Sequence, residues 1–423
     1  MIFVQEGKII DDAMKSLGLN GNYLLSQLIR QLTHRKSKAP SGISTLINDL
    51  KPHSDVMKGT TLRLILDSQN LMLKNISDKI KKIGRGKQIL NPKFPDEETL
   101  AILIARLFAM IGSDGTIDKD YRVSYYEKVA LRRERACSLI QVLGDIRCRV
   151  LKKDGSECGL VFPNIIGRLL ARFGMPVGGK VLQGVRVPEF ILNGSPEIQL
   201  AYLEELIPEE GWVTIDQEDN IRIGWSRTVV LFDEGKGGKY NFKQLISKEL
   251  VKFIERHGTP YTRKYPSGVI EVYYRLTMGT LQEIMTSKNQ EDATNAALLD
   301  QIVRENPSLY IEDEKQLGAM NGIMTSEQCP CEIRRSISSN RVSVKWTVKA
   351  SSEEDVILWG ILASPNDRRK KERLNSWMKR HPKKVMAVRR KLEHSMREMQ
   401  RIRNMFSNAS NNAAADDKEN SGE

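Results

Sequence analysis

The chain has 423 residues, 40% of them hydrophobic and 6% aromatic, which supports two or three domains with real cores and excludes a chain disordered throughout. Its 66 Lys and Arg outnumber 53 Asp and Glu, and the net charge of +13 suits a polyanion such as nucleic acid or an anionic membrane surface. No apolar run approaches the roughly 20 residues that span a bilayer. The opening MIFVQEGKIIDDAMKS has no secretory pattern, and five scattered cysteines fit neither a disulfide framework nor paired zinc ligands. The expectation is a cytoplasmic (nucleoid-associated) or organellar protein, neither secreted nor membrane-bound.

In chain order, residues 1–90 read as a helical N-terminal region. Leu24, Leu25, Leu28, Ile29 and Leu32 recur at helical spacing, and Ile80 to Lys87 reads as a basic, glycine-broken linker. Either a small DNA-binding accessory or a helical pack supporting the core would have this pattern.

Two similar stretches follow, at 91–190 and 191–320. A helix from about Asp96 to Ile111 leads to Asp114-Gly115. A helix from Pro196 to Ile207, with Ser195 at its N-cap, leads to Glu210-Gly211. After each comes an alternating, β-branched and aromatic segment, Tyr121 to Lys128 and Ile221 to Thr228, both read as strands. Further on, LLARFGMP (169–176) pairs with FIERHGTP (253–260), each a helix end followed by glycine and proline. Three landmarks in one order predict two α+β subdomains of one kind, related by a pseudo-twofold axis.

Residues 321–405 are expected to form a small strand plus basic helical region. VSVKWTVK is an alternating strand, and Trp346 and Trp359 are assigned to a small satellite core. From Arg368 to Arg403 there are 15 Lys or Arg and 3 Asp or Glu, so this segment alone carries +12. It reads as helices broken near Pro382, the second with an apolar stripe from Val385 to Ile402. Arg368, Arg369, Lys370 and Lys371 are candidates for a DNA-backbone clamp. Residues 406–423 read as a disordered tail.

Residues 107–115 (LFAMIGSDG) and 203–211 (LEELIPEEG), with VFPNIIGRLLARFGMPVGGK and VRVPEFILNGSPEIQLAYLEEL between them, resemble the LAGLIDADG homing endonucleases, in their single-chain two-motif branch. The resemblance covers roughly residues 95 to 285. It implies two αββαββα-type subdomains forming a DNA-binding saddle, a monomer with no obligate protein partner, and site-specific cleavage of both DNA strands. Each motif helix would present one carboxylate, Asp114 and Glu210, for Mg²⁺ or Mn²⁺, with Gly115 and Gly211 beside them. Such an ion takes carboxylate and phosphate oxygens, polarises the phosphate and activates water.

Lys180 and Lys264, which follow the two Gly-x-Pro turns, are candidates to orient the water or neutralise phosphate. Arg122, Ser124, Tyr126 and Lys128, with Arg222, Ser226 and Thr228, would face the DNA. In the second motif Glu205 stands where the family has a small residue, and a buried glutamate there needs a partner. A rival reading keeps the scaffold and loses cleavage, as a DNA-binding regulator or an intron RNA maturase.

Overall fold

The computed structural model describes residues 2–4, 56–57, 80–83, 89–153, 155–234, 243–264 and 270–398. The chain divides into two compact units, Met1–Ile198 with Lys264–Val269, and Gln199–Arg263 with Ile270–Glu423.

In the first unit, β1 (Ile2–Val4), β2 (Val56–Met57), β3 (Ile80–Ile83) and β4 (Ile89–Leu90) form a small sheet in the order β2-β1-β3-β4. The helices expected over 1–90 lie mostly outside the described residues. The expected linker at Ile80 is corrected: Ile80 to Ile83 is strand β3, antiparallel to β1 and β4. Ile80 is buried and Lys81 exposed, the two-residue alternation of a strand, and the basic character of the segment had masked it.

Helix α1 (Glu97–Asp114) starts at Asp96, whose carboxylate accepts from the Thr99 amide at 2.7 Å, with Glu97 and Glu98 in the positive first turn. Its second half is buried almost all round, from Leu103 to Ser113. Strands β5 (Gly115–Ile117) and β6 (Val123–Tyr125), helix α2 (Ala130–Ile140), strands β7 (Arg149–Lys153) and β8 (Ser156–Phe162) and helix α3 (Asn164–Arg172) follow. Two short helices, α4 (Lys180–Gln183) and α5 (Glu189–Leu192), complete this stretch. The sheet order is β5-β6-β8-β7.

The second unit begins at Gln199 within helix α6 (Pro196–Glu210), and β9 (Gly211–Ile215), β10 (Ile221–Asp233), α7 (Lys248–His257), β11 (Thr259–Lys264) and β12 (Ile270–Thr277) follow in the chain. Helices α8 (Met278–Met285), α9 (Gln290–Glu305) and α10 (Leu309–Met320) precede β13 (Cys329–Ser336), β14 (Arg341–Lys349), α11 (Glu353–Leu362) and α12 (Arg368–Arg380). Residues 382–398 form helix α13, the last among the described residues.

The sheet of this unit has six strands in the order β11-β12-β13-β14-β10-β9. Read from the β9 end, β9-β10-β14-β13 repeats the order β5-β6-β8-β7 of the first unit. The second hairpin of this unit is therefore β13–β14, and the helix answering to α3 is α11. FIERHGTP instead ends α7 and leads into an additional hairpin, so its pairing with LLARFGMP is corrected. A helix end followed by glycine and proline is a general stop signal and identifies no particular helix.

VSVKWTVK likewise is no satellite. It is β14, hydrogen-bonded between β10 and β13, and Trp359 packs its ring 5.2 Å from Trp225 in the main core. The α+β class expected from the sequence is found, with mixed helix and sheet in both units. No helix among the described residues is long and apolar enough to cross a membrane.

Candidate active site and nucleic-acid face

Each motif helix runs without a loop into a strand at a glycine. A β-carbon on Gly115 would lie 2.8 Å from Ile111 Cγ2 and 2.9 Å from its Cα. On Gly211 it would lie 2.8 Å from Ile207 Cα and 2.9 Å from the Gly224 carbonyl oxygen. The residue four places back in the helix thus forces glycine at both junctions. Asp114 ends α1 exposed and Glu210 ends α6 half-buried. Gly115 pairs with Tyr125 and Gly211 with Trp225.

The hairpin turns repeat as well. Asp118 Oδ1 accepts from the amides of Asp120 and Arg122, both at 2.9 Å. Asp216 Oδ1 accepts from Glu218 at 3.0 Å and Asn220 at 2.9 Å. Tyr121 and Asp219 both take the left-handed conformation, at φ 61°. Bulky tyrosine is uncommon there, and the aspartate side chain that closes the turn compensates. Counting outward from the glycine pairs, Tyr126 matches Ser226, Glu127 matches Arg227 and Lys128 matches Thr228.

The Lys180 amine is engaged by the end of α1. Its Nζ donates to the carbonyl oxygens of Ile111 at 3.1 Å and Gly112 at 2.7 Å, and to that of Ser113. The Ile111 carbonyl also accepts from the Gly115 amide at the cap, and the helix end carries partial negative charge. The residue doing the same for α6 is Lys370, whose Nζ donates to Ile207 at 2.7 Å and Pro208 at 2.8 Å. Lys264, expected as the counterpart of Lys180, sits exposed at the end of β11, so that pairing is corrected to Lys180 with Lys370. Lys370→Ala should cost about 1–2 kcal/mol in urea unfolding, and Lys264→Ala less than about 0.5 kcal/mol. Equal effects would refute the assignment.

Around Glu210 the second unit builds a buried polar network that the sequence reading missed. Arg227 Nη1 donates to Glu210 Oε1 at 2.9 Å. The same guanidinium donates from Nη2 to Glu314 Oε1 at 2.5 Å, and Glu314 on α10 is fully buried. Trp225 Nε1 reaches Glu314 Oε2 at 2.7 Å, and the Tyr202 hydroxyl reaches Oε1 at 2.9 Å. The Tyr310 ring lies under the guanidinium, its centroid 4.2 Å from Cζ.

Burial pushes the Glu314 carboxyl above its ordinary value, against the pull of Arg227 and of hydrogen bonds from Arg227, Tyr202 and Trp225. It also pushes Tyr202 well above its usual range and Tyr310 up to about 12, so both hydroxyls keep their protons at neutral pH. For Arg227 burial opposes the charge, yet the nearby Glu314 carries it well above its ordinary value. In the first unit the matching position holds Glu127, which pairs with Arg132 of α2 at 2.8 Å. The strand-to-helix ion pair is present in both units with its polarity reversed. Arg227 was detectable in principle, because strand alternation turns it inward, away from Ser226 and Thr228.

Of the expected DNA-facing side chains, Arg222, Ser226 and Thr228 share one face of β10, whereas the strand expected over Tyr121 to Lys128 is corrected to Val123–Tyr125, with Arg122 before it and Tyr126 and Lys128 after it. Arg122, Tyr126, Lys128, Arg222 and Thr228 are exposed or largely so, and Ser124 and Ser226 half-buried. Each turn aspartate holds its arginine, Arg122 to Asp118 at 3.4 Å and Arg222 to Asp216 at 3.2 Å. Tyr126 and Lys128 line a shallow hollow of about 390 Å³ with Leu151, Lys152 and Cys158. Of the four basic residues opening α12, Arg369 and Lys371 are exposed, Arg368 pairs with Glu372 at 2.7 Å, and Lys370 points to the α6 carbonyls. The helix is pinned to the β9–β10 turn by Trp377 Nε1 on the Asp219 carbonyl at 2.7 Å and by Arg380 on its carboxylate at 2.8 Å.

Glu205 is buried to 1% exposure and accepts from Asn366 Nδ2 at 3.2 Å, which supplies the partner its position demands. No group of three or more His, Cys, Asp or Glu gathers as a metal cluster among the described residues. The oxygen donors a hard cation would meet are the single helix-tip carboxylates. Asp114 is exposed, while Glu210 has one oxygen engaged by Arg227.

No family model and no curated protein matches the chain. Among solved structures, the chain is similar to one of the mesophilic variants from the homing endonuclease I-DmoI, at 12% identity and a TM-score of 0.29, over 64% of this chain and 99% of that one.

Proposed function

We propose that the chain is a site-specific DNA endonuclease of the LAGLIDADG type that hydrolyses phosphodiesters on both strands. The observation that carries this reading is the duplicated junction. Twice, a helix ends on an acidic residue and a mandatory glycine, enters a hairpin with the same aspartate-closed turn, and receives a lysine on its last carbonyls. Asp114 and Glu210, one per unit, would hold Mg²⁺ or Mn²⁺ together with phosphate oxygens. The ion's chemistry is to polarise the phosphate and activate water. Lys180 and Lys370 fix the helix ends, and so the direction in which each carboxylate leaves the backbone. The strand faces around Arg122 to Lys128 and Arg222 to Thr228 supply phosphate and base-edge contacts.

A specific observation favours a second reading, a DNA-binding regulator or intron RNA maturase with cleavage lost. Arg227 already donates to Glu210, and a cation site with an arginine on its carboxylate is weakened. A randomised plasmid library incubated with the protein, with Mg²⁺ and with chelator, separates the two. Enrichment of linear plasmids with one shared sequence at the break, lost on chelation, is expected. Enrichment by binding alone, with no broken plasmid, would establish the regulator.

A further inference from the structure

The hairpin β11–β12 widens the second sheet from four strands to six, and nothing in the proposed chemistry requires it. Two strands add about 10 Å at the usual spacing of about 4.8 Å. That equals about three base pairs at a rise of about 3.4 Å each. Register shows which side chains share the added surface. Arg275 lies directly opposite Arg334, and Arg334 opposite Ser343. One step along, Thr277, Glu332, Lys345 and Thr228 form a continuous row across four strands. The face that carries Ser226 and Thr228 therefore continues without a break to Arg275. Beyond it Tyr261 and Tyr273 stack at 5.1 Å and 13°. Thr259, Tyr261, Arg275 and Arg334 line an open hollow of about 320 Å³.

The charges there are unbalanced. Directly opposed like charges destabilise a ladder, and Arg275 and Arg334 share a single carboxylate. Glu332 lies 3.7 Å from Arg275 and in close contact with Arg334. Both arginine side chains remain about half exposed, at 53% and 46%. One carboxylate cancels one of two positive charges, and Lys345 adds another on the same row. A phosphate backbone supplies the missing anions, and the planar guanidinium forks suit it.

We propose that β11–β12 is an added DNA-contacting arm. In it Arg275 and Arg334 hold duplex phosphates beyond those reached by a four-stranded sheet. The inference rests on the reading of the strand face as a DNA surface, but not on cleavage.

The test is the salt dependence of binding to a duplex of random sequence about 30 base pairs long. Each lost phosphate contact lowers the slope of log K against log salt by about 0.9. The double variant Arg275→Ala/Arg334→Ala should lose about 1.8 from the slope. Between about 50 and 200 mM salt its affinity would then fall about 12-fold less than that of the natural chain. Each single variant should lose about half as much in slope, and Arg275→Lys/Arg334→Lys, which keeps the charges, should retain it. If the double or the single variants bind with the natural slope while folded, the arm is refuted and the DNA reading stands. If the natural chain shows no affinity for duplex, both fall.

Discussion

Glu314→Ala is expected to cost about 3–5 kcal/mol of unfolding free energy, well beyond the cost of losing a helix-end lysine or a surface ion pair. Four donor groups from three residues converge on this fully buried carboxylate, namely Nε and Nη2 of Arg227, Nε1 of Trp225 and the hydroxyl of Tyr202. Removing it leaves a guanidinium that is 6% exposed with Glu210 as its remaining charged partner, and leaves an indole N–H unpaired. A surface pair gives the contrast. Arg368 and Glu372 are 77% and 62% exposed, and Glu372→Ala should change stability by less than about 0.5 kcal/mol. Urea unfolding followed by tryptophan fluorescence reads both, since Trp225 and Trp359 report on this core. A loss below about 1 kcal/mol for Glu314→Ala would show that the network is dispensable. Arg227 would then also have no firm hold with which to steer Glu210.

The second large effect is on cleavage. Asp114→Asn and Glu210→Gln keep size and hydrogen-bonding capacity and remove one negative charge each. If each carboxylate holds a catalytic cation, the loss of several kcal/mol of transition-state stabilisation lowers the cutting rate by at least about 10²–10³-fold. DNA affinity should stay the same or rise slightly, because a negative charge near phosphate is removed. Quantified cleavage of a selected target, beside a gel-shift measurement on the same duplex, reads both quantities. A variant that still cuts at the natural rate would dismiss its carboxylate from the chemistry. A variant that loses binding and cutting together would assign it a structural place instead.

How far the sequence could be read depended on whether the signal was local. The junctions were legible because their cause spans five residues: Ile111 and Ile207 sit against the following glycine whatever the rest of the chain does. The outward face of β10 was legible from two-residue alternation, and the N-terminal boundary of α1 was close, being set by the Asp96 cap. Strand pairing was not legible. VSVKWTVK was recognisable as a strand, but its placement beside β10 depends on contacts far along the chain. That misplacement put Trp346 and Trp359 in a separate core. The same limit hid the role of Lys370, which looked like one of four equivalent basic residues. Only the fold carries its side chain to the end of α6. Glu314 gave no warning, since the acidic run Glu312-Asp313-Glu314 in LYIEDEKQLGAM reads as part of a solvated helix face.

The interval between β10 and β14 has a consequence for how the chain acquires its structure. In the first unit, Val123 and Phe162 pair across about 40 residues, whereas Trp225 and Val348 pair across about 120. Tripling the loop adds only about 1 kcal/mol to closure entropy, but it slows the search for the native pairing. On a ribosome adding about 5–20 residues per second, β10 waits about 6–25 s for its neighbour to be made. Throughout that interval a thirteen-residue strand has an open hydrogen-bonding edge. The late-arriving hairpin thus leaves nascent β10 open to wrong partners during synthesis.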